Sequence, residues 1–588
     1  LTLFPIGGLL ILASVWQEQP HLKLRGLLRA TYIYGGMVVV ASIVLWATYG
    51  FELRPLPELA NGTLPLPAAS HIERWLRLRA NLSYGREAFL LGQNGMHGWW
   101  QYFPLAFLVK TPLPFLLLII VSTTSAVVKL VRHPAHFKHR IPHWLPITIF
   151  PLVYSVASLT STINIGYRHL LPILPFMYVA VGNSWATTNR FIKHIPQHLF
   201  RAIGIALCVW QAIATLAIAP HYIPYFNALA GGPDKGWRFL ADSNTDWGQT
   251  LKALAAYQQQ HNTGPVKLSL FTFLDPEVYH VTYVPIAPMQ QAPPVLPQRF
   301  NPEPGLYAIS ATTLDGVPLP YPATYNGFQH REPVAQIAHA MHLYDVPNAP
   351  ARQWVAQCSL PVAPLTHDAI TEGFGVPGIR TITFNCEQSW IIPPGDGWYV
   401  RATPDIDKLR WPRAGEHLER WPAWAQQLAP DNLHLSYEQS QAGKLPPFTI
   451  WEWAASAITP AQTIPETTLD ETITFLGYDA PARVRVGETI NVITYWRVHN
   501  APTRPLSLML HLISAEGTSV AVGDGLGVPI DQWRSGDIII NRHQLGIPTT
   551  TELGEYKLLS GAYWLDTMQR LKSDKGETLE LTSIRLTP

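Results

Sequence analysis

The chain has 588 residues, of which 47% are apolar and 14% are charged. It is too long for a single domain and too apolar for an ordinary soluble enzyme. Lys and Arg together number 42 against 40 Asp and Glu, so no basic surplus indicates a nucleic-acid partner.

Membrane spans are predicted only in residues 1–220. A spanning helix needs about 20 predominantly apolar residues, and no run beyond Pro220 approaches that length. We predict about six spans: Leu1–Trp16, Tyr32–Tyr49, Thr111–Leu130, Trp144–Thr160, His169–Ala186 and Ile203–Ile218. The first run has neither a basic segment nor a small-residue cleavage site, which does not suit a signal peptide. We therefore interpret the membrane region as truncated at its N-terminus.

The orientation of the spans follows from the Lys and Arg residues of three short loops, 17–31, 129–142 and 189–201. These loops alternate along the six spans, so the positive-inside rule places all three in the cytoplasm. Residues 51–103 and everything after residue 220 then lie outside. The predicted location is a multi-pass cell (inner, cytoplasmic) membrane with extracytoplasmic C-terminal domains, and the lipid bilayer is the first predicted partner.

Residues 221–347 are predicted to form an extracytoplasmic α/β domain. Apolar spacing predicts a helix near Gln249–Tyr257 and strands at Val266–Leu270 and Leu306–Ser310. Between the two strands, Val284–Gly305 contains seven prolines, which cannot donate to a sheet. We expect an extended surface loop there.

Residues 348–465 are predicted to be mixed and mainly β. Cys358 and Cys386 bracket a segment rich in Gly and Pro. An outer location permits them to form a disulfide or to remain as two thiols. Cys208 lies within a predicted span and is interpreted as a small apolar residue.

Residues 466–588 are predicted to form an immunoglobulin-like β-sandwich. Apolar residues alternate through Ile490–Trp496 and Leu506–Leu512, and turn-rich segments separate such runs at sandwich-like spacing. A domain of this kind either binds sugar or braces the rest of the protein. The pattern does not decide between them, and we favour bracing.

Three cations stand beside the starts of predicted spans, where charges are costly and are therefore candidates for function. Lys110 precedes a Thr-Pro helix start, and Arg168 and His169 precede Pro172, so two helices direct their positive N-terminal ends outward beside fixed cations. This arrangement suits a lipid phosphate. The alternative is that Lys110 and Arg168 extend to the interface as anchors.

Two further groups of side chains are candidates for binding. Trp99, Trp100 and Tyr102 are typical of membrane-interface anchors, although aromatic faces also stack on sugar rings. Asp242–Gln249 (DSNTDWGQ) precedes the predicted helix, and Asp246 suits either a helix cap or a cation- or hydroxyl-binding role. The segment lacks the distant bidentate Glu of a calcium loop, so no metal site is predicted.

Four segments resemble, in the same order, the second half of bacterial members of the dolichyl-phosphate-mannose protein mannosyltransferase family. They are GREAFLLGQNGMHGWWQYFPLAFLVKTPLP (85–114), INIGYRHLLPILPF (163–176), ADSNTDWGQTLKALAAY (241–257) and YAISATTLDGVPL (307–319). The resemblance covers roughly residues 1–347. The C-terminal segments GETINVITYW and GEYKLLSGAYW are more weakly similar to β-domains appended to some bacterial glycosyltransferases.

The resemblance implies a C-type hexosyltransferase that moves a sugar from a polyprenyl-phosphate carrier to a protein, lipid or cell-envelope acceptor outside the membrane. Its catalytic base is expected in a first outer loop upstream of Leu1, so no catalytic residue is named here. Lys110, Arg168 and His169 become candidate ligands of the donor phosphate, and Trp99, Trp100 and Tyr102 become neighbours of the substrate cavity.

The resemblance also marks a family motif for which it specifies no role: Asp242, Asn244, Asp246, Trp247 and Gln249. No cofactor beyond the lipid-linked donor is implied.

Two other classes of function remain open at this stage. One is a transporter or flippase subunit with an outer sensor domain, and the other is a non-catalytic surface protein that binds sugar. Transport needs a polar path through the bilayer, and the predicted spans contain almost no ionisable groups apart from the interfacial cations. The sequence does not predict the donor sugar, the acceptor or the oligomeric state.

Overall fold

The computed structural model describes residues 7–8, 23–56, 65–83, 85–132, 134–188, 196–289, 298–317, 319, 321–348, 351–403, 421–428, 432–439 and 446–588. The chain forms two compact units. The first comprises residues 1–295, 306–322 and 333–344, and the second comprises 296–305, 323–332 and 345–588. The four regions predicted from the sequence are thus distributed over two units.

The first unit begins with a helical region. Its longer helices are α1 (Lys23–Thr48), α2 (Ala69–Ser83), α3 (Tyr102–Lys110), α4 (Leu113–Arg132), α5 (Pro134–Leu159), α6 (Leu174–Thr188), α7 (Gln197–Leu216) and α8 (Thr250–His261). Among the described residues, three helical stretches are long and apolar enough to cross a membrane: Leu28–Thr48, Leu113–Arg132 and Gln197–Leu216. These helices support membrane association, and they are fewer than the six predicted spans.

The remaining predicted spans differ from such helices for identifiable reasons. Most of Leu1–Trp16 lies outside the described residues. The apolar part of α5 covers only Ile147–Leu159. The run His169–Ala186 is divided, because a 3-10 helix at Tyr167–Ile173 contains Pro172 and precedes α6. At 1.5 Å per residue, α6 spans only about 22 Å of a hydrocarbon core that is about 30 Å thick.

The segment between α1 and α3 contains structure that the sequence did not predict. Strands β1 (Leu53–Pro55) and β2 (Pro65–Pro67) pair with each other, and so do β3 (Ala88–Leu90) and β4 (Gln93–Gly95). Helix α2 lies between these two ribbons in the chain. The second ribbon begins within the first of the four quoted motifs.

The α/β part of the first unit contains a five-stranded sheet in the order β6-β5-β7-β9-β8. Its strands are β5 (Val266–Ser269), β6 (Tyr283–Pro285), β7 (Gly305–Ser310), β8 (Ala335–Ile337) and β9 (Met341–Val346). Strand β5 is parallel to both β6 and β7, and α8 packs Leu251 and Leu254 into the same apolar core. The predicted helix and both predicted strands are therefore present as α8, β5 and β7.

The proline-rich segment is a loop only in part. Its start belongs to β6, in which Pro285 pairs with Leu268. Strand β6 lies at the edge of the sheet. Proline has no N–H to donate, and it is tolerated in an edge strand because one side of that strand pairs with no neighbour. The expectation of one extended loop over Val284–Gly305 was thus wrong at its start, and residues 290–297 lie outside the described residues.

The second unit is rich in β-structure. Its first strands are β10 (Trp354–Cys358), β11 (Arg380–Phe384), β12 (Ser389–Ile392), β13 (Gly397–Ala402), β14 (Leu433–Gln439) and β15 (Phe448–Trp453). All of them except β12 form a sheet in the order β11-β10-β13-β15-β14. Cys358 and Cys386 form a disulfide bond with a Cα–Cα distance of 5.3 Å, within the usual range. Both cysteines are fully buried.

Two further five-stranded sheets complete the second unit. Their strands are β16 (Thr467–Leu469), β17 (Ile473–Asp479), β18 (Arg483–Arg485), β19 (Thr489–Val498), β20 (Leu506–Ile513), β21 (Ser519–Val522), β22 (Ile538–Gly546), β23 (Gly554–Trp564) and β24 (Leu579–Thr587). The sheet orders are β12-β22-β19-β17-β16 and β18-β24-β23-β20-β21. Both sheets contribute to one buried core, as expected of a sandwich. The first of them includes β12, which precedes the predicted start of the sandwich at residue 466.

Candidate functional site

Three of the four quoted motifs meet at the side chain of Asn244, and the fourth contacts the adjacent residue Thr245. Asn244 Oδ1 accepts a hydrogen bond from the backbone N–H of Tyr167 at 2.9 Å, and its Nδ2 donates to the Tyr102 hydroxyl at 2.9 Å. The adjacent Thr245 hydroxyl lies 3.0 Å from the Thr312 hydroxyl. Asn244 is 1% exposed, so these bonds are made in a buried environment where unpaired polar groups are costly.

The segments that contain Asn244 and Tyr167 are joined at a second point. The hydroxyl of Ser243 donates to the carbonyl of Ile165. Gly166 has φ +150°, and a Cβ at this position would overlap the Ser243 hydroxyl. The approach of the two backbones therefore requires glycine at this position.

Lys110 is buried at the end of α3, with only 8% of its surface exposed. Its Nζ donates to the carbonyls of Ile223 and Asn244 at 2.7 Å each, and it lies 4.2 Å from the centre of the Phe226 ring. Burial lowers the pKa of Lys110 to about 7. Two of the three ammonium donors thus bind backbone oxygens of the segment that follows α7, and the phosphate role of Lys110 stays a prediction.

Arg168 and His169 begin the 3-10 helix that precedes α6. The Arg168 guanidinium is exposed and lies 5.2 Å from the centre of the Trp247 ring. The His169 ring is half-buried against Phe103, at 6.2 Å between ring centres. Arg168 is therefore the predicted phosphate ligand whose charged group is accessible.

Asp242 adopts a left-handed backbone conformation with φ +58°. Such a conformation is uncommon outside glycine, although Asp tolerates it better than most residues. The residue is 9% exposed, and its Oδ1 is buried without a hydrogen-bond partner among the described residues. Burial raises the pKa of Asp242 to about 6, while a hydrogen bond from the backbone of Ser243 and the charges of Arg168 and Arg86 oppose the rise.

Asp246 and Gln249 serve the turn that leads into α8. Asp246 Oδ1 accepts from the Gly248 N–H at 2.8 Å and its Oδ2 accepts from the Thr250 hydroxyl at 2.7 Å. Gln249 accepts from the Trp247 N–H at 2.6 Å and donates to the Thr245 carbonyl at 2.9 Å. Burial raises the pKa of Asp246 to about 6. Both carboxylate oxygens of Asp246 are thus bonded within this turn, while the N-cap position of α8 itself is Gln249.

The aromatic candidates occupy different environments. Tyr102 is 1% exposed and its hydroxyl is the partner of Asn244. The backbone N–H of Trp99 donates to Asn164 Oδ1 at 2.5 Å. Trp100 is 68% exposed. Tyr102 therefore supports the convergence of the motifs, while Trp100 remains free to meet lipid or ligand.

A buried polar cluster nearby was not singled out from the sequence. Asp315 is 4% exposed, and burial raises its pKa well above the ordinary value while the charge of Arg238 opposes the rise. Burial also lowers the pKa of His342 to about 4. The Asn94 amide donates to the Asp315 carbonyl at 3.0 Å. The signal that could have found this cluster is the position of Asp315 inside the quoted segment 307–319.

Comparison with known proteins gives little further information. No protein-family model and no curated protein matches the chain. A solved structure that matches is the CARDB domain of the PF1109 protein from Pyrococcus furiosus, crystallised in complex with di-metal ions. It shares 12% identity and covers 21% of this chain and 97% of its own length, with a TM-score of 0.14. A similarity at this level does not bear on fold or function.

Proposed function

We propose that the protein is an integral membrane glycosyltransferase of the dolichyl-phosphate-mannose protein mannosyltransferase type. In this proposal it transfers a sugar from a polyprenyl-phosphate carrier to an acceptor on the outer side of the cell membrane. About six spans anchor the chain, and an immunoglobulin-like sandwich follows the outer α/β domain. The membrane part of the proposal is supported by the three helices that are long and apolar enough to cross a membrane.

One observation supports this proposal above all others, namely the contact between segments that are far apart in the chain. Asn244 joins Tyr102 and Tyr167 across 142 and 77 residues, and Thr245 reaches Thr312 across 67 residues. A resemblance spread over four short segments would be weak if those segments were scattered in space. Their common location is what a single functional site requires.

The chemistry of the proposal needs a stabilised phosphate leaving group. Arg168 has an exposed guanidinium, which can donate two parallel hydrogen bonds to phosphate oxygens. Trp247 packs against that guanidinium and restricts its orientation. We expect Arg168 to bind the donor phosphate directly, with His169 beside it and Lys110 holding the loop that contains Asn244.

Arg168→Ala tests the proposal in the full-length protein reconstituted in lipid vesicles. We expect kcat/KM for transfer from labelled polyprenyl-phosphate-mannose or polyprenyl-phosphate-glucose to fall by about tenfold or more, because a charge-assisted hydrogen bond to phosphate is lost. Arg483→Ala is the matched control, since Arg483 is an exposed arginine on β18 in the second unit and lies outside all four quoted segments. Equal transfer rates in both variants, or no transfer by the unmodified protein from either donor, would contradict the proposal.

A further inference from the structure

Asp242 differs from its neighbours in one respect that the proposed function does not use. Asn244 and Asp246 have their side-chain oxygens bonded to protein donors. Asp242 receives a hydrogen bond from the backbone of Ser243, yet its Oδ1 has no partner in the part of the chain described. A buried carboxylate oxygen without a donor is costly, and such an atom calls for an explanation.

The backbone at Asp242 is also held in an unfavourable conformation. Asp242 has a left-handed φ of +58°, and the two residues that follow it are both bonded to the segment 165–167, Ser243 to Ile165 and Asn244 to Tyr167. Strain of this kind persists only where surrounding contacts enforce it. The Asp242 carboxyl therefore lies two residues before Asn244, the residue at which three of the quoted segments meet.

Two arginines act on this carboxyl from a distance. Arg168 and Arg86 both oppose the rise of the Asp242 pKa through their charges, and neither is hydrogen-bonded to it. Both guanidinium groups are exposed. Both arginines are therefore close enough for their charges to act on the Asp242 carboxyl, and the Trp247 ring lies against one of them.

We propose that Oδ1 of Asp242 accepts a hydrogen bond from a hydroxyl of the donor sugar, while Arg168 and Arg86 bind the phosphate to which that sugar is attached. This inference rests on the proposed function and adds to it a binding position for the donor sugar. An ionised carboxylate only accepts hydrogen bonds, so the unpaired oxygen favours a ligand with O–H donors. A sugar phosphate offers both the hydroxyl and the anion within one small group.

The test compares two lipids that differ only in the sugar. Binding of polyprenyl phosphate and of polyprenyl-phosphate-mannose is measured with the full-length protein in lipid nanodiscs. In Asp242→Gly we expect affinity for the mannosyl lipid to fall about tenfold, because a hydrogen bond to a charged acceptor is lost, and affinity for polyprenyl phosphate to be unchanged. In Arg168→Ala we expect the affinity for both lipids to fall.

Glycine is chosen at position 242 because it adopts a positive φ without strain, so loss of fold is not expected to mask the result. His280→Gly is the matched control: His280 has φ +60° and is exposed, so the variant relieves similar strain at a position outside the site. It should bind both lipids as the unmodified protein does.

The outcomes separate the two proposals. If the unmodified protein binds neither lipid, the proposed function fails and this inference fails with it. If both lipids bind and Asp242→Gly weakens them equally or not at all, the sugar-binding role of Asp242 is wrong while the proposed function stands. A slower transfer with unchanged binding of the mannosyl lipid would likewise overturn it, since the carboxyl would then serve the acceptor.

Discussion

At the scale of single residues, three polar side chains of the segment 241–249 have different environments. Asp242, Asn244 and Asp246 share one motif, yet one has a free oxygen, one joins three segments and one has both oxygens bonded within a turn. The partners of Asn244 lie 77 and 142 residues away, and no local pattern encodes them. Distant partners of this kind become visible only when the chain is folded.

The buried carboxyl of Asp242 predicts a particular pH dependence of stability. Its pKa is raised from 3.8 to about 6, so between about pH 4 and 6 the folded state holds a proton that the unfolded state has lost. The contribution of this group to the free energy of unfolding therefore falls as pH rises through that window. Asp242→Asn removes the titration, and Asn also tolerates a positive φ.

We therefore expect Asp242→Asn to gain stability relative to the unmodified protein between about pH 4 and 6, and the difference to level off above that range. The gain should not exceed about 3 kcal/mol, since each pKa unit corresponds to about 1.4 kcal/mol. Thermal unfolding in detergent over a pH series measures it. Asp242→Gly should show the same pH dependence with a constant difference in stability. If stability changes with pH in the same way in the variants and the unmodified protein, titration of Asp242 does not contribute to it.

At the scale of elements, periodic segments were predictable and short or irregular ones were not. Helix α8 and strands β5, β7, β19 and β20 followed from apolar spacing because each contributes apolar side chains to a buried core. Strand β6 was missed because prolines argued against it, and helix α2 was missed because no strong apolar run marked it. Tertiary pairing stabilises such elements more than local preference does.

The disulfide between Cys358 and Cys386 predicts a measurable contribution to the β-rich unit. The bond closes a loop across a separation of 28 residues, which corresponds to about 3 to 4 kcal/mol of lost unfolded-state entropy. Replacing both cysteines with Ala should lower the free energy of unfolding by about that amount.

Tryptophan fluorescence during denaturant unfolding is a suitable measurement, because Trp354, Trp390 and Trp453 are buried in the core of the same unit. Cys208→Ala is the matched control, since Cys208 is an exposed free thiol outside that unit. A double variant as stable as this control would argue against any role of the bond in stability.

At the scale of the whole molecule, long apolar runs predicted the helical N-terminal part, and alternation of apolar residues predicted β-structure near the C-terminus. The number of spans was less readable, because Pro172 shortens α6 and the apolar part of α5 is brief. Charge in short loops predicts the sidedness of the spans, which stays a prediction.

Sidedness can be tested with single cysteines in a Cys208→Ala background. Val522→Cys places a thiol on β21 where the native side chain is 54% exposed, and His198→Cys places one at the exposed start of α7, in a loop predicted to be cytoplasmic. In intact spheroplasts a membrane-impermeant maleimide should label Val522→Cys and should label His198→Cys only after permeabilisation. The paired cysteines 358 and 386 should remain unlabelled without reductant. The reverse labelling pattern would show that the predicted orientation is wrong for every loop, because the predicted sides of all the loops depend on one another.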